Sequence, residues 1–352
     1  MKRRPIAILI GIVLSGSAFA ANAQTTQPLS TPPAQPVSGP GGSEAPFADF
    51  VMHRYGDGDA QYWIFEPAKP SPPHAPVIIF CHGWSALTPN IYGAWIKHIT
   101  RRGNIVIVPR YQATIHTRMR YFTPNAISAV KAALAELQSG SHVKPELDHV
   151  AIVGHSMGGA MAMNLAALAR AEGLPAPWAI CCVEPDNVLR NVNNAQMALA
   201  DLSAISPDTL VQVVVGDDDR LAGDETAKTI YAQLSQIPLD KKDYITLVSD
   251  YHGQPALKAN HLAPVAWETV DPEPDPTIVN DPKRQAVRQW MVENSIDAMD
   301  FFGTWKLFDG LTDAAFYGKN VRYALGNTAE QRFMGRWSDG TAVEEMRVGE
   351  EP

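Results

Sequence analysis

The chain has 352 residues, of which 45% are hydrophobic and 19% are charged, and its formal net charge is −8. This composition supplies a sizeable buried core and excludes a disordered chain, a collagen-like repeat and a protein with many membrane spans. Residues 24–352 alone carry 26 basic and 37 acidic side chains, a balance of −11. A surface of that sign repels nucleic acid and anionic membranes, so we expect neither as a partner.

The N-terminus has the features of a secretion signal. A basic segment, 2–4, precedes an apolar stretch, 6–14, and small residues in A-x-A patterns follow it. The apolar stretch is too short to span a bilayer, so a retained membrane anchor is the less favoured interpretation. We expect residues 1–23 to be a signal peptide and the protein to be exported to the periplasm or the medium. Residues 24–46 are rich in Pro, Gly and Ser, which is typical of a disordered leader.

From residue 47 the pattern is that of a folded domain, which we expect to run to residue 352 with a C-terminal extension from about residue 305. Two strand-like segments, 50–55 and 61–65, flank a Gly-Asp-Gly-Asp turn and predict an antiparallel hairpin. Runs that are apolar at nearly every position follow at 77–81, 105–108, 150–153, 178–183, 210–215 and 244–248. Strands that are apolar on both faces are typical of a parallel sheet covered by helices.

Helical patterns separate these runs. They lie at 91–102, 124–137, 157–172, 225–235, 282–301 and 305–316. In the second of them, Thr123 is a candidate N-cap and Pro124 suits the first helical position. Strands that alternate with helices predict an α/β fold with a doubly wound, mostly parallel sheet. We expect 271–281, with four acids and three prolines, to be an exposed loop, and we assign no structure to 317–352.

Cysteine usage is sparse and does not indicate a disulfide-stapled scaffold. The three residues Cys81, Cys181 and Cys182 all lie in apolar strand-like runs. Two adjacent cysteines rarely bridge each other, because the geometry is strained. We therefore expect three buried thiols, with a single disulfide as the alternative.

The sharpest chemical feature is the pentapeptide Gly-His-Ser-Met-Gly at 154–158, which fits the pattern G-x-S-x-G. An apolar strand-like run precedes it directly, and a helical pattern of small residues follows it. This strand–turn–helix context is the one that a nucleophile elbow requires. A side chain at Gly154 or Gly158 would collide with the neighbouring strand and helix, and the helix N-terminus directs its free N–H groups at the site. The pattern predicts Ser156 as a nucleophile, with an ordinary Gly-rich turn as the alternative.

On this motif and on the run Val-Ile-Ile-Phe-Cys-His-Gly-Trp at 77–84, the chain resembles the α/β-hydrolase superfamily over roughly residues 47–305. The closer resemblance is to exported bacterial serine esterases. It implies that the His-Gly pair after the third strand opens the oxyanion loop, with the backbone N–H groups of Trp84 and Met157 as donors. Two aimed N–H groups stabilise the negative charge that develops on the carbonyl oxygen during acyl transfer. We expect His82 to orient this loop and not to transfer protons.

The resemblance also implies the chain order serine, acid, histidine. The run at 210–215 ends in Gly-Asp-Asp-Asp-Arg-Leu, and the acid turn after the seventh strand of the family places its carboxylate about three residues past the glycine. That spacing selects Asp219, which would hold one tautomer of the histidine. In some relatives the acid follows the sixth strand, which would select Glu184 or Asp186.

Of the ten histidines, His252 and His261 follow Asp219 and are the candidates for the base. His252 has the spacing of relatives with a short last loop. His261 lies in the sequence Asn-His-Leu-Ala-Pro, which resembles a subgroup of exported bacterial hydrolases, and it follows a loop long enough to fold back over the elbow. We prefer His261, because a triad depends on the geometry of its three side chains and not on their spacing in sequence, and this loop lets His261 reach Ser156.

These expectations define a serine esterase or lipase-like hydrolase that acts on small or polymeric carboxylic esters. We expect no cofactor at its site, since neither a dinucleotide fingerprint nor a P-loop lysine is present. We expect no metal either, since His252 and His261 are nine residues apart with no thiolate cluster nearby. The alternatives are an exported serine peptidase or amidase, which the same residues would serve, and a non-catalytic binding protein on this fold. The sequence does not define an oligomeric state.

Overall fold

A computed structural model of the chain describes residues 29–189, 195–273 and 296–349. In these ranges, nine strands form one sheet in the order β1-β2-β4-β3-β5-β6-β9-β10-β11, and β7 and β8 form a separate two-stranded pair. The strands are β1 Asp49–Tyr55, β2 Tyr62–Ala68, β3 His74–Cys81, β4 Ile105–Pro109, β5 Lys144–His155, β6 Ala179–Val183, β7 Val188–Leu189, β8 Ala195–Gln196, β9 Leu210–Gly216, β10 Lys242–Leu247 and β11 Arg347–Val348.

The strands from β4 to β10 in the sheet run parallel to one another, while β1, β2 and β11 are antiparallel to their neighbours. The expected α/β class with a mostly parallel sheet and an N-terminal antiparallel hairpin is therefore confirmed. Because the carboxyl ends of parallel strands lie at one edge of the sheet, the loops after β3, β5, β6, β9 and β10 meet there.

Helices cover both faces of this sheet. They are α1 Gly93–Arg101, α2 Phe122–Ser139, α3 Met157–Glu172, α4 Glu225–Gln233, α5 Trp305–Tyr317, α6 Val321–Ala324 and α7 Ala329–Arg332. Alternate residues of β3 point to opposite faces: Val77 and Ile79 pack with α2 and α3, whereas Ile78 and Phe80 pack with α1 and α5. This two-sided burial explains why the central strands are apolar at nearly every position.

Most predicted helices are present with shifted ends. The second begins at Phe122 and not at Pro124, because the short 3-10 helix Met119–Tyr121 leads directly into it. Thr123 is therefore not its N-cap. Pro124 still falls in the first turn, where backbone N–H groups have no intrahelical acceptor. The absence of an N–H in proline therefore costs no helical hydrogen bond. The helix predicted at 282–301 lies largely outside the described residues, and its last residues begin the π-helical turn Met299–Thr304.

Residues 29–46 differ from the disordered leader that we expected. They pack against the C-terminal part of the chain: the buried Gly41 N–H donates to Asp309 Oδ2 at 2.7 Å, and the Ser30 hydroxyl donates to Asp339 Oδ2 at 2.7 Å. Pro33 is buried beside Gly335. The segment orders because distant residues supply partners for its backbone, which its own composition does not reveal. The predicted signal peptide lies outside the described residues.

Two further C-terminal expectations are modified. Asp271 is buried, accepts the Trp63 Nε1–H at 2.9 Å and pairs with Arg54 at 3.3 Å, so the first residue of the predicted exposed loop is buried, whereas residues 272 and 273 are exposed. Residues 274–281 of that loop lie outside the described part. The unassigned region after 316 contains α6, α7 and β11, and β11 closes one sheet edge against β10. Cys81, Cys181 and Cys182 are free and buried, as expected.

Candidate active site

A sharp turn between β5 and α3 presents Ser156. Its backbone has φ 58° and ψ −125°, a strained conformation for a residue with a side chain. Two hydrogen bonds fix the turn: the Ser156 N–H donates to Val183 O at 2.9 Å, and the Asp186 N–H donates to Ser156 O at 3.1 Å. The structure thus has the strand–turn–helix that the G-x-S-x-G pattern predicted, with the serine at its apex.

The two glycines of this turn are required by close packing. A Cβ at Gly158 would lie 2.0 Å from Cys81 O, and a Cβ at Gly154 would lie 2.1 Å from Gly158 O. Both distances are far shorter than any real contact, so the beginning of α3 lies directly against the end of β3. The collision expected from the sequence is therefore present at both positions.

Ser156, His261 and Asp219 form one chain of hydrogen bonds. The Ser156 hydroxyl donates to His261 Nε2 at 2.9 Å, and His261 Nδ1–H donates to Asp219 Oδ2 at 2.7 Å. This direction follows because an ionised carboxylate can only accept. The structure brings together three residues that are far apart in sequence and that the motif analysis had selected.

Asp219 is held in the form of an ionised carboxylate. Burial by itself would raise the pKa of Asp219, but the hydrogen bond and charge interaction with His261 lower it, together with two backbone donors, so the net pKa is below the ordinary value. The donors are the N–H groups of Leu221 and Ala222, each 2.9 Å from Oδ1. One oxygen is thus fixed by the turn and the other is free to orient the imidazole.

Glu184, the first alternative acid, lies next to the same imidazole but in a different state. Its Oε2 is 3.7 Å from His261 Nδ1 and 3.4 Å from His155 Nε2. Complete burial, and then the charge of Asp219, raise the pKa of Glu184 well above its ordinary value. Burial thus disfavours the ionised form of Glu184, whereas the hydrogen bonds to Asp219 favour its ionised form, so Asp219 is the better partner for His261. Asp186, the second alternative, accepts the Val188 N–H at 3.0 Å.

His252 lies apart from Ser156. Its Nε2 contacts Asp339 Oδ2 at 2.7 Å, and its side chain is 39% exposed. His252 lies inside a loop that is closed by paired hydrogen bonds between Asp250 and Leu257 of 2.8 and 2.9 Å. This closure returns the chain to the strand ends, where His261 meets Ser156.

The loop after β3 lies directly against the serine. A Cβ at Gly83 would be 3.4 Å from Ser156 Cβ, so the residue before Trp84 lies against the serine, and Met157 follows the serine in the chain. The N–H groups of Trp84 and Met157 stay the predicted oxyanion donors. His82 stacks on Tyr111 at 4.2 Å and donates Nδ1–H to Gly83 O at 2.7 Å. Burial lowers the pKa of His82 to about 4, so the imidazole is neutral and its contacts stabilise the loop after β3.

Sequence reasoning missed a buried polar group beneath the site. The Gly83 N–H donates to Tyr92 Oη at 3.1 Å, and Tyr92 Oη lies 2.8 Å from His155 Nδ1. Burial, and then the charge of His261, hold the pKa of His155 well below its ordinary value. His155 is the first of the two variable residues of the pentapeptide, but nothing in the sequence places Tyr92 beside it. The group connects the loop after β3 to the elbow.

The same region contains three potential metal ligands. His155, Glu184 and His261 have ligand atoms within 4.8 Å of one another. His261 faces Glu184 with Nδ1, at 3.7 Å, and this same nitrogen already donates to Asp219, whereas a metal-bound nitrogen has no proton to donate. The arrangement therefore suits proton transfer at Ser156 better than metal binding.

The architecture and the elbow together define an α/β-hydrolase fold. Residues 62–199 match the family model described as Chlorophyllase. This family is α/β-hydrolase-like and acts on esters, so the match supports a general role in ester hydrolysis. The matched segment contains Ser156 and the loop after β3, whereas Asp219 and His261 follow it. A comparison with curated proteins gave no match.

Proposed function

We propose that the chain is a serine hydrolase that cleaves carboxylic esters through an acyl-enzyme intermediate. The observation that carries the proposal is the hydrogen-bonded chain Ser156–His261–Asp219 at the apex of the strained turn. The likeness of residues 62–199 to an ester-hydrolysing family supports the choice of substrate class.

The reaction follows from this geometry. His261 Nε2 takes the hydroxyl proton as Ser156 Oγ attacks the ester carbonyl, and Asp219 stabilises the imidazolium that forms. The backbone N–H groups of Trp84 and Met157 hold the negative oxygen of the tetrahedral intermediate. Each such donor contributes on the order of 10²–10³ in kcat. His261 then gives its proton to the leaving alcohol, and water frees the acyl group by the same route in reverse.

The proposal includes export to the periplasm or the medium. It rests on the basic segment, the short apolar stretch and the A-x-A patterns of residues 1–23. In the described ranges, no helix combines the length and apolar character needed to cross a membrane. The proposed substrate is a small or polymeric ester.

A panel of chromogenic substrates tests the reaction class. We expect the purified protein to hydrolyse p-nitrophenyl acetate, butyrate and octanoate, and to act much more slowly on p-nitroanilides of the same acids. Chlorophyll belongs in the panel because the family description names it. Faster turnover of the anilides would make the protein a peptidase or amidase. Binding without turnover of any ester would make it a non-catalytic protein.

Changing each of the three carboxyls tests the assignment of the acid. Asp219→Asn is expected to lower kcat by about ten-thousandfold, because an amide stabilises the wrong tautomer of His261. Glu184→Gln and Asp186→Asn are the matched controls, and we expect each to change kcat by less than about tenfold. Steady-state kinetics on p-nitrophenyl butyrate measure all three. A crippled Glu184→Gln or Asp186→Asn beside a nearly unaffected Asp219→Asn would move the acid to the loop after β6.

A further inference from the structure

A second cluster of ligating side chains lies away from Ser156, beside the N-terminal hairpin. His53 comes from β1, Glu66 from β2, and His142 from the segment between α2 and β5. Glu66 Oε1 is 3.2 Å from His53 Nε2 and 2.6 Å from His142 Nδ1. The ligand atoms of all three lie within 4.8 Å of one another. Two imidazole nitrogens thus converge on one carboxylate oxygen.

The spacing is close to that of a tetrahedral metal site. With bonds of about 2.0–2.2 Å to zinc, ligand atoms in a tetrahedron lie roughly 3.3 Å apart. The distance from His53 Nε2 to Glu66 Oε1 already matches this value. His142 Nδ1 would have to withdraw from the carboxylate by less than about 1 Å. Small rotations of the side chains would therefore admit a cation, with water as its fourth ligand. The cation would replace the protons through which the imidazoles contact Glu66 Oε1, and these protons would be released to solvent.

Outer contacts hold the ligands in position. The Val143 N–H donates to Glu66 Oε2 at 2.6 Å, which leaves Oε1 directed at the two imidazoles. On the far side of the His142 ring, Nε2 lies 3.1 Å from Tyr55 Oη and 3.4 Å from Glu136 Oε1. A hydroxyl or carboxylate on the second ring nitrogen is the arrangement that orients metal-ligating histidines in proteins.

Charge and access also suit a cation. The buried Glu66 side chain is 6% exposed and supplies a negative charge, while the His53 side chain is 37% exposed and opens the cluster to solvent. The cluster around Glu146 differs, because there His74 contacts Oε1 while His149 contacts the other oxygen, Oε2, at 3.2 Å. Those two imidazoles therefore do not converge on one atom, and His74 serves as a control.

We propose that His53, Glu66 and His142 form a binding site for a divalent cation of intermediate softness, Zn²⁺ in particular. Two imidazoles and one carboxylate are a ligand set that zinc accepts readily. The cation would tie the edge strand β1 and its neighbour β2 to the segment that leads into β5. The site is independent of the proposed ester hydrolysis, so either can fail without the other.

Zinc binding to the chelator-treated full chain tests the proposal by calorimetry and by thermal unfolding. We expect one Zn²⁺ per chain and a rise in Tm on addition of Zn²⁺. His53→Ala removes a partly exposed ligand and should weaken the affinity by at least about tenfold and abolish the rise in Tm. Glu66→Gln should do the same. The control His74→Ala should leave both measurements unchanged.

Two results would overturn the proposal. One is the absence of Zn²⁺ binding, which would leave the cluster as a set of hydrogen bonds that share protons. The other is binding that survives both His53→Ala and Glu66→Gln. The competing location for zinc is the cluster of His155, Glu184 and His261. Ester hydrolysis measured in parallel detects binding at this location, because zinc bound there would inhibit turnover in every one of these variants.

Discussion

Ser156→Ala is expected to abolish ester turnover while leaving the fold intact. The substitution removes the attacking oxygen, and alanine keeps a small side chain at the apex of the turn between β5 and α3. The oxyanion donors and the remaining binding contacts supply only residual catalysis over water. The measurement is kcat on p-nitrophenyl butyrate, with circular dichroism and Tm to establish that the variant is folded.

A surface serine provides the control for this experiment. Ser203 is exposed, and its hydroxyl contacts Asp201 at 2.7 Å, so Ser203→Ala should retain full activity. The nucleophile assignment is wrong if folded Ser156→Ala keeps more than about a thousandth of the original kcat. Activity lost equally in both variants would point instead to general damage.

Local patterns predicted the nucleophile turn well, because the residues that carry its sequence pattern are contiguous. The apolar strand β5, the two glycines and the small residues of α3 are contiguous, and the contacts that exclude a Cβ at Gly158 come from β3, the other motif read from the sequence. The sheet was predictable from local patterns as well, since strands buried on both faces are apolar at nearly every position.

Choices that depend on long-range contacts remained open in the sequence. The run of three acids after Gly216 offers equivalent carboxylates, and the turn that directs Asp219 inward is defined by backbone donors at 221 and 222. Whether Glu184 is ionised depends on its burial and on the nearby Asp219, neither of which a linear pattern contains. The order of segment 29–46 also depends on long-range contacts, because its partners are about 270 to 310 residues away.

The two histidines after Asp219 illustrate this limit most directly. Both satisfy the chain order, and the paired hydrogen bonds between Asp250 and Leu257 decide which of them returns to the strand ends. His252 remains at the start of the closed loop and contacts Asp339 in the C-terminal part of the chain. The sequence offers no signal for that contact, because Asp339 belongs to the region that could not be assigned.

His261→Ala is therefore expected to lower kcat by at least about ten-thousandfold, because no other base then lies within hydrogen-bond distance of Ser156 Oγ among the described residues. The matched variant His252→Ala removes the same side chain from a position tied to Asp339, so we expect kcat to change by less than about tenfold and Tm to fall slightly. Comparison of the two variants separates loss of the catalytic base from disturbance of the loop that contains His252. A loss of turnover in folded His252→Ala, with His261→Ala still active, would reverse the assignment of the base and leave Ser156 as the nucleophile.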